Sequence, residues 1–309
     1  MNSREEFQNS IIVPALQLIK DDNKVKKFYF LPGFLSIVFL SVVLVYQVVY
    51  TYVVILEKKE QALEVLLNFF HSSYAQETLI ISAIFIIFYM LITPIFEWGL
   101  IRYIDRVEHH ETPSSSDAIG FWIFRFYAVF EFNNIFGMFK LASILNWFLF
   151  ALRFVGIEFL SALSIWFFIA FLFSIIIGVF IAYARYEIVL ENKSVFPAIA
   201  VSSQIALLNL KTTLRLYFMM FVLNIRVVIN FFLFLIFPLI FITLIGFITS
   251  QIFITIAAFI LWLIFLGFVL ILWYMSAVLE ILTTAIWYHA YIEGKKKLSF
   301  SDEHHSDGH

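Results

Sequence analysis

Residues 159–184 read FLSALSIWFFIAFLFSIIIGVFIAYA, a run without one charged side chain, closed by Arg185. A helix rises 1.5 Å per residue, so the run is longer than the roughly 20 residues that cross a hydrocarbon core of about 30 Å. Further apolar runs lie at 28–56, 78–101, 141–157, 213–246 and 252–286, of which 141–157 is marginal in length. Apolar residues follow one another continuously instead of alternating, which predicts spanning helices and not an outer-membrane barrel. Composition agrees: the 309 residues are 62% hydrophobic and 20% aromatic, against roughly 45–50% apolar in soluble domains. The expected fold class is an all-α polytopic membrane protein with six transmembrane helices.

The basic residues orient these spans. Sixteen of the 20 Lys and Arg fall on the side of the N-terminus: those up to Lys27, those from Arg102 to Lys140, those from Arg185 to Arg215, and Lys295, Lys296 and Lys297. Lys58, Lys59 and Arg153 fall on the other side, and Arg226 lies within a span. Positive charge is retained in the cytoplasm, so both termini are expected there. The first apolar run follows 27 mostly polar or amphipathic residues and is expected to be an uncleaved anchor. A net charge of −2 gives no reason to expect nucleic acid as a partner, and the lack of cysteine excludes disulfides, thiolate metal sites and cysteine catalysis.

Each pair of spans is preceded by an apolar segment with helical spacing. In the first, Phe7, Ile11, Ala15, Leu18 and Ile19 recur every three or four residues. The second, 116–140, opens at Ser116 and Asp117 and carries Arg125, Glu131, Asn133 and Asn134, which are costly in hydrocarbon. Its stretch 118–139 is therefore read as interfacial, with a full crossing as the alternative. In the third, Phe196, Ile199, Leu207, Leu210 and Leu214 form an apolar stripe, with Ser202, Asn209 and Lys211 off it. Arg102 and Tyr103 at the end of one span match Arg185 and Tyr186 at the end of another. The expected organisation is one membrane domain, 1–294, of three repeats (about 5–101, 116–186 and 194–292), and a disordered polar tail, 295–309. With no GxxxG in any span, packing through Phe, Leu and Ile is expected.

The stretches ALQLIKDDNKVKKFYFLPGFL (15–35) and AYARYEIVLENKSVFPAIAVSSQIALLNLKTTLRLYF (182–218) resemble bacterial six-span families related to the membrane domain fused to some glycerophosphoryl diester phosphodiesterases. The resemblance covers most of residues 7–292 through loose patterns of residue type. It implies a six-helix module of a bacterial cytoplasmic membrane and carries over no catalytic residue, because the phosphodiesterase activity of fused members belongs to a separate barrel domain that has no counterpart here.

Ionisable groups inside a membrane are candidates for function. Arg226 and Glu280 lie at similar depth, about 16 to 20 Å from the cytoplasmic boundary at 1.5 Å per residue. They could form an ion pair, with Asn224 and Asn230 adding hydrogen bonds. Glu97, Arg102, Arg153, Glu158, Arg185 and Glu187 are expected at the membrane interfaces as anchors. His109, His110 and the tail residues His304, His305 and His309 resemble metal ligands by type but sit in polar surroundings, so no metal is expected. HExxH, GxSxG, P-loop and dinucleotide fingerprints are missing. The reading that results is a non-enzymatic scaffold or subunit that binds partners or lipid, without cofactor; its partners would be membrane lipids and other membrane-protein subunits. The alternative is a permease or channel with Arg226 and Glu280 in the pathway.

Overall fold

The computed structural model describes residues 3–39, 59–111, 113, 115–139, 141–223, 225 and 251–306, and among them there is no β-strand. In chain order the helices are α1 (Ser3–Phe7), α2 (Val13–Asp21), α3 (Asn23–Phe28), α4 (Phe30–Phe39), α5 (Lys59–His71), α6 (Ala75–Glu108), α7 (Ser115–Gly137), α8 (Leu141–Val155), α9 (Leu160–Ile181), α10 (Ala184–Leu190), α11 (Val195–Leu208), α12 (Leu210–Leu223) and α13 (Gln251–Ser306). Three stretches, Ala75–Glu108, Leu160–Leu190 and Leu266–Phe300, are long and apolar enough to cross a membrane. The pair α11 and α12, bent by 97° at Asn209, adds a fourth if it counts as one span. Parts of the runs 28–56 and 213–246 lie outside the described residues; α4 and α12 are the described helices at their starts.

The chain divides into two compact units. One comprises residues 22–97 and 235–281, the other residues 1–21, 98–234 and 282–309. In the first unit Asp22 caps α3, its Oδ1 accepting from the backbone N–H groups of Lys24 (2.6 Å) and Val25 (3.3 Å). Helix α4 then meets α13 closely. A Cβ built on Gly33 would stand 2.9 Å from Ala277 Cβ, and the Trp273 indole stacks on Phe30 with its N–H donating to the Phe30 carbonyl at 2.5 Å. Phe39 stacks on Tyr89 of α6 at 4.4 Å.

In the second unit, a π-helical turn, Gln8–Ile12, joins α1 to α2, and the expected stripe is inward: Ile11, Ala15 and Leu18 are buried. Helices α8 and α9 form a hairpin whose turn contains Gly156 at φ +100°, a value that glycine adopts freely. Phe148 packs on Phe167 across this hairpin, and the Ser174 hydroxyl donates to the Phe139 carbonyl.

Helix α11 shows which way the faces noted in its sequence point. Phe196 is 66% exposed and Leu207 58%, while Ala198, Ser202, Ile205, Ala206 and Asn209 are buried, as is Thr213 of α12. The apolar stripe points outward. In water that would be unfavourable, but lipid solvates bulky apolar side chains as well as a core does, so small and polar residues take the helix contacts. Close helix approaches at Gly33, and at Gly294 beside Ile205, accompany contacts between large side chains such as Phe148 on Phe167.

Two helices also run past their expected ends. Helix α6 continues from Ile101 to Glu108 because Leu100, Ile101, Tyr103 and Ile104 are all buried. Helix α13 continues through Lys295–Lys297 to Ser306, where the sequence predicts a polar tail. Burial of Tyr291 and the attachment of Lys295 to Glu191 hold its backbone helical at that point.

Candidate functional site

Three segments at the ends of apolar helices bring polar side chains together within the second unit: the end of α6, the short helix α10, and the last part of α13. Helix α10 carries Glu187, whose side chain is fully buried. After its C-cap at Glu191, Asn192 adopts the left-handed conformation at φ 56°, which asparagine tolerates better than most residues. The turn returns the Lys193 N–H to the Glu187 carbonyl at 3.4 Å. It also carries the Lys193 ammonium back to 2.7 Å from Glu187 Oε2. That contact is an ion pair without hydrogen-bond alignment, because Oε2 has no partner of suitable angle.

The other carboxylate oxygen is held from α13. The Tyr291 hydroxyl donates to Glu187 Oε1 at 2.9 Å, and Lys295 Nζ lies 3.9 Å from the same oxygen. Lys295 also pairs with Glu191, and it lies one turn beyond Tyr291, whose hydroxyl it approaches at 3.2 Å. The Tyr186 ring stacks on Tyr291 with centroids 5.5 Å apart, and its hydroxyl donates to the Thr284 carbonyl at 3.1 Å. A second tyrosine of α13, Tyr288, donates to Asp105 Oδ1 of α6 at 2.8 Å. Thus tyrosines three residues apart on the last helix each hold a carboxylate that follows an Arg-Tyr pair, Arg102-Tyr103 or Arg185-Tyr186.

Helix α11 is joined to this cluster by its polar inward face. Ser202 Oγ accepts from the Tyr183 N–H at 3.0 Å and donates to the Phe180 carbonyl at 2.6 Å, and the hydroxyls of Tyr183 and Thr213 are 2.9 Å apart. A Cβ on Gly294 would meet Ile205 Cγ2 at 2.5 Å, so only glycine permits this approach of α13 to α11 without displacement. Beside the same contact lies a cleft of about 160 Å³ that includes Glu6, Lys211, Arg215, Glu293 and Lys297.

At the end of α6, His109 Nδ1 lies 2.7 Å from the Asp105 carbonyl and 3.6 Å from its carboxylate. The carbonyl contact and the nearby negative charge raise the imidazole pKa above its ordinary value.

Of the residues selected from sequence, Glu187 and Arg185 belong to the cluster; Arg185 is half-buried and donates to the Tyr186 hydroxyl at 3.3 Å. Arg102 lies half-buried on α6 one turn before Asp105, and Glu97 is half-buried on the same helix. Arg153 is in the last turn of α8 and Glu158 is exposed in the short 3-10 turn Ile157–Phe159, on either side of Gly156. Glu280 is half-buried on α13, whereas Arg226, Asn224 and Asn230 lie outside the described residues, and with them the expected Arg226–Glu280 pair. Sequence reasoning missed Tyr288, Tyr291, Lys193, Lys295 and Lys211. One signal was present in the repeated Tyr-x-x-Tyr of 183–186 and 288–291.

The cluster holds a carboxylate by a phenol and two ammonium groups, an arrangement that joins α10 to α13. No group of three or more metal-ligating side chains converges among the described residues. Compared with protein-family models, curated proteins and solved structures, the chain matches none of them.

Proposed function

We propose that the chain is a non-enzymatic integral membrane protein of a bacterial cytoplasmic membrane, with six spans, cytoplasmic termini and a role as a scaffold or as a subunit that binds lipid or partner proteins. The observation that carries this reading is the engagement of Glu187. It is the fully buried carboxylate of the described helices, and it is closed in by Tyr291, Lys193 and Lys295 and lines none of the clefts described here. A charge held in this way fixes α10 and the turn after it against α13, and leaves the exposed apolar faces of α9 and α11 for lipid or for other subunits. The biased distribution of Lys and Arg supports the orientation, and the helices α4, α8 and α12, which lie in or begin the three remaining apolar runs, support the span number.

The test is purification from its native membrane in mild detergent at native expression, with quantitative mass spectrometry of retained proteins and lipids, followed by solute-flux assays in proteoliposomes. Retention of a protein or lipid at near-equal stoichiometry is the expected result. Flux that is lost on Glu280→Gln while the folded protein is recovered intact would overturn the reading in favour of a permease.

A further inference from the structure

Two adjoining hollows in the second unit share Phe7 and Arg215. The first is the cleft of about 160 Å³ near Gly294, which carries the cations Lys211, Arg215 and Lys297 and the carboxylates Glu6 and Glu293. The second, about 480 Å³, is apolar: beyond Arg215 it is formed by Ile12, Phe218, Met219, Val222 and Leu223, with Gln8 at its side. The guanidinium of Arg215 lies 4.9 Å from the centre of the Phe7 ring, which fixes it at the junction of the two. A polar pocket that opens into an apolar groove matches an amphiphile with a charged head and a hydrocarbon tail.

The signs of charge narrow the head. A site for a purely anionic group would exclude carboxylates from its walls, yet two are present. Three cations and two carboxylates complement a headgroup that carries a phosphate and an ammonium a few bonds apart. The Glu293–Lys297 pair, 3.6 Å apart with Lys297 exposed and Glu293 half-buried, is weak enough to open for such a ligand. A guanidinium suits a phosphodiester through paired N–H donors, and carboxylates accept from the N–H groups of a primary ammonium but find none on a quaternary one.

We infer that this composite cleft binds one membrane phospholipid with a phosphoethanolamine head, the phosphate at Lys211 and Arg215, the ammonium at Glu6 and Glu293, and one acyl chain along Phe218, Met219 and Val222. The inference rests on the reading of the chain as a lipid-binding membrane protein and names the lipid.

The experiment is native mass spectrometry of the full chain in detergent, titrated with phosphatidylethanolamine, phosphatidylcholine or phosphatidylglycerol of identical acyl chains, and with soluble glycerophosphoethanolamine. Expected is one retained phosphatidylethanolamine, bound at least about tenfold more tightly than the other two lipids. Lys211→Gln with Lys297→Gln, both at exposed positions, should weaken it about tenfold, and Glu6→Gln with Glu293→Gln should shift preference toward phosphatidylglycerol. Arg215→Lys serves as a further variant that keeps the charge and loses the paired donors; it should also weaken binding. Equal binding of all three lipids, or variants that bind as the parent does, overturns the proposal. Binding of glycerophosphoethanolamine as tight as that of the lipid overturns the acyl-chain part and makes the site one for a free head. A stoichiometric protein partner without lipid preference would sink this proposal and leave the scaffold reading standing; flux through the protein would sink that reading whatever the lipid preference.

Discussion

Glu187 and Lys193 illustrate how unequal the two members of an ion pair can be. The carboxylate is fully buried, whereas the Lys193 side chain keeps 35% of its exposure. Lys193→Met therefore leaves a charge away from water, with the Tyr291 hydroxyl and the more distant Lys295 at 3.9 Å beside it, and should lower stability by about 3 kcal/mol. Glu187→Gln leaves ammonium groups that can turn to solvent and should cost less. The double variant should be more stable than Lys193→Met alone, a non-additivity that thermal unfolding in detergent would reveal. His109 provides a second check. Its pKa is raised in the folded protein, so any stability it contributes is fully present below its ordinary pKa and disappears as pH rises through the raised one. In NMR titrations the His109 ring should show a midpoint above 6.5, and Asp105→Asn should bring it down toward that value.

Among the elements, α13 depends most on single positions. Tyr291→Phe removes the donor to Glu187 and Tyr288→Phe the donor to Asp105, and each should cost about 1.5 to 3 kcal/mol, as is usual for hydrogen bonds to charged groups. Gly294→Ala places a methyl 2.5 Å from Ile205 Cγ2 and should cost about 1 to 3 kcal/mol, whereas Gly267→Ala on the same helix meets nothing within 4 Å and should raise stability by about 0.5 to 1 kcal/mol. Opposite signs for two identical substitutions in one helix, read by thermal unfolding, would locate the close approach. These positions also show where sequence reading stops. Periodicity places Tyr288 and Tyr291 on one helix, but which carboxylates they meet depends on contacts between segments about 100 to 180 residues apart. The helical character of 78–101 and 160–181 was legible because continuous apolar residues need no knowledge of a partner. The end of α6 was not, because Ile101–Glu108 becomes helical through tertiary burial, after the apolar run has ended.

At the scale of the molecule the solvent decides what a pattern means. A stripe of Phe196, Leu207 and Leu214 signals an inward face only if the outside is water; here it faces outward, and Ser202 and Asn209 face in. Leu207→Ala should accordingly be nearly neutral, while Ser202→Leu, which inserts bulk and leaves the Tyr183 N–H without its acceptor, should prevent recovery of folded protein, as judged by size-exclusion chromatography. The absence of cysteine makes topology directly measurable. In intact cells a membrane-impermeant maleimide should label Glu158→Cys, at the exposed α8–α9 turn, and should reach Lys296→Cys only after lysis. Labelling of both before lysis would refute the proposed orientation.

The burial of Glu187 also sets how the protein responds to ionic strength. Counter-ions screen charges they can approach, over about 10 Å at 0.1 M salt, and they cannot approach a carboxylate with no exposed surface. The Lys297 and Glu293 side chains, at 47% and 31% exposure, are within their reach. Concentrated salt should therefore strip a zwitterionic lipid from the open cleft while the helix junction next to it keeps its shape, so that washing and folding become separable variables in the same preparation.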